Sequence, residues 1–214
     1  MKISPDKLRL YAVTDRTWLG KESLEEAVEA ALRGGVTILQ LREKQAPYEE
    51  LVKTAMRLKP LCRRYGVPLI INDDVEAALE ADADGVHVGQ EDMAVAEARR
   101  ILGPEKIIGA SAHNREEALE AQRQGADYLG SGAVFGSSTK KDATTLSREE
   151  LTAVCRAVSI PVAAIGGITG EKWLELAGTG VSGIAVVSAL FAGADKEEAA
   201  ARLRALAEKI AERS

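Results

Sequence analysis

Short apolar strands alternate with helical segments along the whole chain, and this alternation restricts the fold more than any other feature of the sequence. The predicted strands cover residues 8–15, 36–41, 68–71, 85–89, 107–110, 128–135, 162–165 and 184–187. They show no alternating polar face, which a sheet with one side in water would have. Strands that are apolar on both faces and separated by helices form a parallel sheet covered by helices.

Eight strand–helix units in a chain of 214 residues match the count of a (β/α)8 barrel, the TIM barrel of the α/β class. A turn of small residues precedes every even-numbered strand, at residues 34–36, 83–86, 125–127 and 180–183, which indicates a repeat of two units. The alternative is an open doubly wound sheet, but no G-x-G-x-x-G turn follows the first strand. No linker divides the chain, so we predict a single barrel domain over residues 1–214.

Pairs of polar residues mark the start of several helices. Ser23 with Glu26 and Ser147 with Glu150 have the spacing of a capping box, in which each side chain accepts the backbone N–H of the other residue. A helix is therefore predicted to begin after Ser23 and another after Ser147.

The composition argues against several classes of function. The net charge is −5 and the aromatic content is 4%, which disfavour a polyanion across the whole surface and base stacking on exposed rings. We therefore expect no nucleic-acid partner, whereas a small anionic substrate needs only a local cationic pocket. The longest apolar run, residues 184–192, is too short to span a bilayer, so no membrane contact is expected.

Two cysteines and the first residues of the chain indicate a compartment. Cys62 and Cys155 lack the spacing of metal ligands, and a chain of this size does not need a disulfide framework. Both are predicted to be reduced residues of the core, which indicates a reducing compartment. The first residues contain no apolar signal core, so we predict a cytoplasmic protein. The sequence leaves a homo-oligomer open.

Polar residues gather where the predicted strands end. In a (β/α)8 barrel the active site lies at the C-terminal ends of the strands. The polar and glycine residues at these ends are Gln40, Arg42, Lys44, Asn72, Asp73, Asp74, Gln90, Glu91, Asp92, Ser111, His113, residues 137–141, Gly166, Gly167 and Ser188. The opposite turns show far less of this pattern. Its convergence from most of the strands favours an active site over a merely soluble surface.

Two of these carboxylates are candidate metal ligands. Asp73 and Asp92 end adjacent strands, so one cation could bind both. Two carboxylates with phosphate oxygens and waters are the usual ligands of Mg²⁺ in proteins. Asp74 directly precedes a helix and is predicted to be its N-cap. His87, in the middle of its strand, is predicted to be a hydrogen-bonded core histidine and not a ligand.

Other residues predict two subsites for anions. Gly166-Gly167 and Ser188 match the phosphate site that barrels often form after strands seven and eight. The segment S-S-T-K-K at residues 137–141 offers backbone N–H groups, hydroxyls and ammonium groups to an anion.

Positive charge gathers around the candidate metal ligands. Arg42, Lys44 and Lys140, together with a metal, would be enough for a pyrophosphate. A metal-bound pyrophosphate beside a second, phosphorylated substrate predicts that this second substrate displaces the pyrophosphate.

Six short motifs, taken together, are highly specific. They are Q-L-R-E-K at 40–44, N-D-D at 72–74, H-V-G-Q-E-D at 87–92, G-A-S-A-H at 109–113, T-K-K-D at 139–142 and G-G-I at 166–168. In these motifs the chain resembles the thiamine-phosphate synthase family, over nearly its whole length. Members of that family join a pyrimidine-methyl diphosphate to a thiazole phosphate, releasing pyrophosphate and making thiamine phosphate.

The resemblance implies a role for each matching residue. The pyrimidine diphosphate, 4-amino-2-methyl-5-pyrimidinylmethyl diphosphate (HMP-PP), would bind to Gln40, Leu41, Arg42, Glu43, Lys44, Asn72, Ser111 and Lys140. The thiazole phosphate would bind to Ser137, Ser138, Thr139, Gly167, Val187 and Ser188. Asp73 and Asp92 would hold Mg²⁺, and the catalytic residues would be Arg42, Ser111 and Lys140. Lys141 and His113 receive no role.

The same resemblance implies a dissociative displacement. Metal and cations would stabilise the charge on the departing pyrophosphate, and the pyrimidine would carry a methylene cation until the thiazole nitrogen attacks. No protein nucleophile is then required, in agreement with the lack of a Ser-His-Asp or Cys-His arrangement. Ser137 stands where many members have Thr, and Gly136 where Pro is frequent, so the loop keeps its hydroxyl and loses some stiffness.

Three alternatives differ from a synthase. A related thiazole tautomerase shares the barrel, but the resemblance implies that it lacks the metal carboxylates and has a histidine where this chain has Ala133. A Schiff-base aldolase using Lys140 is disfavoured, because a loop lysine beside Lys141 lacks the apolar burial that activates such a lysine. A third alternative is a non-catalytic barrel that binds thiamine precursors and regulates a partner. The sequence does not exclude it, although the presence of all the catalytic residues argues against it.

Overall fold

A computed structural model describes residues 3–136, 145–169 and 172–213. The eight strands in these ranges form one closed parallel barrel in chain order, and β8 pairs with β1 to close it. The strands are β1 (Leu10–Val13), β2 (Ile38–Leu41), β3 (Leu69–Asn72), β4 (Gly85–Val88), β5 (Ile107–Ala112), β6 (Tyr128–Gly132), β7 (Val162–Ile165) and β8 (Gly183–Val186). The predicted (β/α)8 barrel is therefore confirmed.

The α-helices of the described ranges are α1 (Leu24–Arg33), α2 (Tyr48–Arg64), α3 (Val75–Glu80), α4 (Val95–Leu102), α5 (Arg115–Arg123), α6 (Arg148–Ala157), α7 (Ser188–Phe191) and α8 (Lys196–Ala211). Short 3₁₀ turns lie at Pro5–Leu8, Arg16–Trp18 and Lys172–Leu176. Both predicted capping boxes are present, at Ser23 with Glu26 and at Ser147 with Glu150. None of the helices in this part of the chain combines the length and the apolar character needed to cross a bilayer.

Two apolar layers fill the molecule. The inner layer lies inside the barrel and includes Tyr11, Val13 and Tyr128. The outer layer lies between the strands and the helices and takes the residues that alternate with these, such as Ala12 and Leu129. Both faces of each strand are buried, which explains the lack of a polar face in the sequence. Each buried large aliphatic side chain stabilises the fold by about 1.5–3 kcal/mol.

The two-unit repeat has an atomic basis at the N-terminal end of the barrel. The residue before each even-numbered strand donates its backbone N–H to a carbonyl at the start of the preceding odd-numbered strand. These four residues, which we call the brace residues, are Thr37, Asp84, Asp127 and Ser182. In the first three, a side-chain oxygen also accepts the N–H of that same strand residue, at 2.8–2.9 Å. The repeat therefore ties the strands together in pairs.

Arg99 supports one of the brace residues. Its guanidinium donates to the Asp127 carboxylate at 2.6 Å and to the carbonyls of Gly103, Lys106 and Gly125. The side chains of Arg99 and Asp127 are only 22% and 10% exposed. The two opposite charges of this pair thus compensate each other in the protein interior, where water screens them little.

Replacing Arg99 with glutamine is expected to lower the free energy of unfolding by about 3 kcal/mol, because the Asp127 carboxylate would stay buried without its cation. Urea denaturation measures this loss. The matched control is Arg33→Gln, which removes an exposed ion pair with Glu197 and is expected to leave the unfolding midpoint unchanged. An equal loss in both variants would show that burial of the Arg99 pair adds nothing.

β6 is shorter than predicted and ends at Gly132, not at residue 135. Beyond it, the N–H groups of Val134 and Phe135 still donate to carbonyls at the end of β7, at 2.9 and 3.1 Å. The neighbour on the other side, β5, has already ended, so this segment is no longer part of the sheet. β1 likewise begins at Leu10 and not at residue 8, because Pro5–Leu8 forms a 3₁₀ turn.

The two cysteines are free thiols. Cys62 in α2 is buried, whereas Cys155 in α6 is only partly buried. Burial raises the pKa of each thiol to about 12. The prediction of a core residue is confirmed in full for Cys62 and in part for Cys155.

Candidate active site

The C-terminal ends of the strands bring several predicted site residues together. Gln40 lies in β2, Asn72 ends β3 and Ser111 lies near the end of β5. A cavity of about 390 Å³ opens beside the first two of these ends, which is a typical size for a small-molecule site. Its lining residues are Glu43, Lys44, Ala46, Tyr48, Leu51, Asn72, Asp73 and Asp74.

Asp73, which lines this cavity, forms an acidic pair with Asp92. The Asp73 N–H donates to the carbonyl of His87 at 2.8 Å, which ties the loop after β3 to β4. The Asp92 carboxylate accepts the N–H of Gly89 at 2.7 Å, so the turn after β4 folds back on itself. The Asp73 carboxyl group lies close enough to Asp92 for the negative charge of Asp92 to raise its pKa. The structure thus brings the two predicted metal ligands together.

The acidic pair has two carboxyl groups and a neighbouring cation, Lys44. Burial and the neighbouring carboxylate of Asp92 raise the pKa of Asp73 to about 6. Lys44 Nζ, 4.0 Å from Asp73 Oδ2, has the opposite effect. A divalent cation would offset the repulsion between the two carboxylates.

The donor set fits Mg²⁺ better than a metal held by protein alone. Among the described residues, no three or more His, Cys, Asp and Glu side chains converge on one point. Mg²⁺ is usually held by one or two carboxylates, with waters and substrate phosphates as its other ligands. An acidic pair beside a cationic segment provides such a partial set.

Two residues at the strand ends form hydrogen bonds at the starts of helices. Asp74 accepts the N–H of Ala77 at 2.8 Å and is the N-cap of α3, as predicted. His113, which received no role from the sequence, bonds to the Glu117 carboxylate at 2.9 Å in the first turn of α5. Its side chain thus takes part in the start of that helix.

The segment after β2 is held by residues that the sequence analysis did not select. The Arg42 N–H donates to Thr14 Oγ1 at 2.9 Å. The Glu43 carboxylate, 7% exposed, accepts Arg16 Nε at 2.8 Å, so its charge is neutralised. Leu41 is buried in the outer layer, which leaves its backbone as the part available to a ligand.

A chain of hydrogen bonds joins Gln40 to Ser111 through the barrel interior. Gln40 Nε2 donates to the Tyr11 hydroxyl at 2.5 Å, and the hydroxyls of Tyr11 and Tyr128 are 2.6 Å apart. His87 lies 3.1 Å from the Tyr128 hydroxyl through Nδ1 and 3.1 Å from Ser111 Oγ through Nε2. Burial lowers the pKa of His87 to about 4, so the ring is neutral at pH 7. The prediction of a hydrogen-bonded core histidine is confirmed.

The predicted phosphate residues lie at the ends of β7 and β8. Gly166 and Gly167 have φ angles of 102° and 63°, a region that favours glycine. A Cβ on Gly167 would lie 2.7 Å from the Phe135 carbonyl oxygen, so this close approach also requires glycine. Val187 is the N-cap of α7, and Ser188 is its first residue.

Outside the described residues lie Ser137, Ser138, Thr139, Lys140 and Lys141. The chain on either side of them is fixed near the glycines of β7. The Phe135 N–H donates to the Gly166 carbonyl at 3.1 Å, and the Leu146 N–H donates to the Ala133 carbonyl at 2.8 Å. Phe135 and Leu146, which lie on either side of these residues, thus bond to the chain just after β7 and just after β6.

Comparison with known proteins identifies the family. The family described as thiamine monophosphate synthase matches residues 10–190. The chain belongs to the thiamine monophosphate synthase family. As a member of this family, the protein is an enzyme of thiamine biosynthesis, a transferase that makes thiamine phosphate.

Individual members of the family agree over almost the full length. The thiamine-phosphate synthase of Ruminiclostridium cellulolyticum is 50% identical over 194 residues, which are 91% of this chain and 92% of the relative. That of Chloroflexus aurantiacus is 50% identical over 199 residues, 92% of each chain. The solved thiamine phosphate pyrophosphorylase from Pyrococcus furiosus superposes with a TM-score of 0.88 at 43% identity, covering 96% of this chain and 98% of its own. These names favour a synthase over the tautomerase.

The sequence analysis did not select several residues that hold the site of this thiamine monophosphate synthase family member together. A tyrosine in an otherwise aliphatic strand was the available signal for Tyr11 and Tyr128, because a buried hydroxyl needs a partner. Arg16 gave no signal, since its partner Glu43 lies 27 residues further along the chain.

Proposed function

We propose that this protein condenses HMP-PP with thiazole phosphate to give thiamine phosphate and pyrophosphate, with Mg²⁺ bound at Asp73 and Asp92. The acidic pair carries the proposal, since burial and the neighbouring Asp92 raise the pKa of Asp73, and Lys44 Nζ lies 4.0 Å from Asp73 Oδ2. Their repulsion costs folding stability at neutral pH. A role in binding a cation and a diphosphate therefore accounts for the pair better than a structural role.

HMP-PP would lie between the acidic pair and the segment after β2. The residues proposed to bind it are Gln40, Leu41, Arg42, Glu43, Lys44, Asn72, Ser111 and Lys140. Arg42, Lys44 and Lys140 supply positive charge, and the others supply hydrogen bonds or hold the segment in place. Bound Mg²⁺ would add positive charge at the diphosphate oxygens.

The thiazole phosphate would bind on the opposite side of the site, at the ends of β7 and β8. The residues proposed for it are Ser137, Ser138, Thr139, Gly167, Val187 and Ser188. Backbone N–H groups of the tight turn at Gly167 and of Ser188 would donate to the phosphate, and such groups bind phosphate well.

The reaction needs no protein nucleophile. The bond between the pyrimidine methylene and the diphosphate breaks, and its electron pair leaves on the diphosphate oxygen. The lone pair of the thiazole nitrogen then forms the new bond to the methylene carbon. Arg42, Lys44 and Lys140 would stabilise the negative charge on the departing diphosphate, and the methylene cation must be kept from water until the thiazole nitrogen attacks.

A turnover assay tests this function. Purified protein is mixed with HMP-PP, thiazole phosphate and MgCl₂, and thiamine phosphate and pyrophosphate are measured. We expect both products in equal amounts, loss of turnover with EDTA and recovery when Mg²⁺ is added back. Binding of either substrate without turnover would favour the regulatory barrel, and isomerisation of the thiazole alone would favour the tautomerase.

We also propose that the protein works in the cytoplasm, on small molecules and without a nucleic-acid or membrane partner. The free thiols of Cys62 and Cys155 and the net charge of −5 support this. Cell fractionation with an antibody to the protein would test the location.

A further inference from the structure

The hydrogen-bond chain from Gln40 to Ser111 crosses the barrel from β2 to β5. Its three middle members, Tyr11, Tyr128 and His87, are buried, with exposed fractions of 1%, 0% and 8%. The two tyrosine rings pack edge to face, with centroids 5.7 Å apart and planes at 75°. Closely packed rings of this kind cannot turn away from their partners.

The direction of the chain follows from its first member. Gln40 Nε2 can only donate, so the Tyr11 oxygen accepts. Among the described residues the Tyr11 hydroxyl has Tyr128 as its remaining partner, so its one hydrogen finds an acceptor only if Tyr11 donates to the Tyr128 oxygen; Tyr128 then donates to His87 Nδ1. A neutral imidazole that accepts at Nδ1 carries its proton on Nε2, which then donates to Ser111 Oγ. The hydrogen of Ser111 is left for another acceptor.

We propose that Tyr11, Tyr128 and His87 are positioning residues, which hold His87 as the Nε2–H tautomer so that the Ser111 hydroxyl donates its hydrogen to an acceptor atom of bound HMP-PP. This inference rests on the proposed function. It also explains why polar groups occupy the centre of the barrel. The same hydrogen bonds fix the side-chain amide of Gln40. The two residues proposed to contact HMP-PP, Gln40 and Ser111, are therefore held by one set of hydrogen bonds.

The tautomer can be measured without substrate. The chain has two histidines, so His113→Gln leaves His87 as the one imidazole in a sample labelled with ¹⁵N-histidine. We expect an NMR signal of a protonated Nε2 and an unprotonated Nδ1. A protonated Nδ1 would reverse the three bonds between Tyr11 and Ser111 and overturn the proposal, whether or not the enzyme is active.

Kinetics test the effect on Ser111. Tyr128→Phe removes the donor to His87 Nδ1 and is expected to lower kcat/KM for HMP-PP about tenfold or more, with the KM for thiazole phosphate unchanged. Ser111→Ala should cause a similar loss, and the double variant should lose little more than either single variant, since both changes break one path. Equal changes in the two KM values, or additive losses, would contradict the proposal.

The matched control is Tyr65→Phe, which also removes one tyrosine hydroxyl bond, to Glu29 on the outer helices. It is expected to leave both KM values unchanged. Circular dichroism shows whether each variant is folded. If the wild-type protein makes no thiamine phosphate, the proposed function fails while the tautomer result stands. If the wild-type protein is active and Tyr128→Phe matches it, the inference fails alone.

Discussion

Asparagine in place of Asp73 or of Asp92 is expected to lower kcat with Mg²⁺ roughly 1000-fold, equivalent to about 4 kcal/mol of transition-state stabilisation. Each change removes one of the two carboxylates that the proposal assigns to the metal. Asparagine has nearly the same shape, and at Asp73 it also tolerates the left-handed backbone, where φ is 65°. Steady-state kinetics over a range of MgCl₂ concentrations measure the loss and the Mg²⁺ dependence.

Asp74→Asn is the matched control for these variants. Asp74 lines the same cavity, but its side chain caps α3, and asparagine caps a helix as well as aspartate does. The control should therefore keep near wild-type activity. Unchanged turnover in both Asp73→Asn and Asp92→Asn would show that the acidic pair does not hold the metal.

Stability gives a second readout that does not depend on turnover. Without Mg²⁺, Asp73→Asn is expected to raise the free energy of unfolding by up to about 1 kcal/mol, because it removes one of two repelling carboxylates that solvent partly screens. MgCl₂ should raise the melting temperature of the wild-type protein and not that of the variants. A variant that loses activity and stability together has lost its fold and not merely its metal.

Gly109→Ala is expected to lower the free energy of unfolding by about 3 kcal/mol or more, through overpacking of the barrel interior. A Cβ at this position would overlap the ring carbon Cζ and the hydroxyl of Tyr128. Tyr128 is fully buried and cannot move into solvent. Its displacement would also break the hydrogen-bond chain to Ser111, so kcat/KM for HMP-PP should fall as well. Urea denaturation and steady-state kinetics measure the two effects.

Gly193→Ala is the matched control for this variant. A Cβ on Gly193 would meet no atom within 4 Å, so stability and activity should stay near wild type. If Gly109→Ala were equally harmless, the barrel interior would have free space beside Tyr128. The close packing described for the inner layer would then be wrong.

The barrel and the acidic pair could be predicted because both depend on patterns that the chain repeats. Eight apolar strands with helices between them leave few folds besides a closed parallel barrel. Asp73 and Asp92 follow adjacent strands, and the carboxyl ends of parallel strands meet on one side of the sheet. The sequence alone therefore implies that the two side chains lie close together.

The buried hydrogen-bond chain could not be predicted, because its contacts span long sequence separations. Tyr11 bonds to Tyr128, 117 residues away, and both lie in strands that are apolar on both faces. Such strands give no contrast between the inner and outer layers. The sequence pattern places the end of β6 too late for a related reason. Val134 and Phe135 continue the apolar pattern, but whether a strand continues depends on where its neighbours end.

The brace residues repeat one two-stranded unit, which we call a module, four times around the barrel. Each brace joins an odd-numbered strand to the next one, and backbone hydrogen bonds of the same kind join neighbouring modules. The acidic pair belongs to the β3–β4 module, and the proposed phosphate residues Gly167 and Ser188 belong to the β7–β8 module. The residues proposed for HMP-PP come from the β1–β2, β3–β4 and β5–β6 modules. Exchange of one module between relatives should therefore alter only part of that subsite, whereas the β7–β8 module carries Gly167, Val187 and Ser188 of the phosphate subsite together.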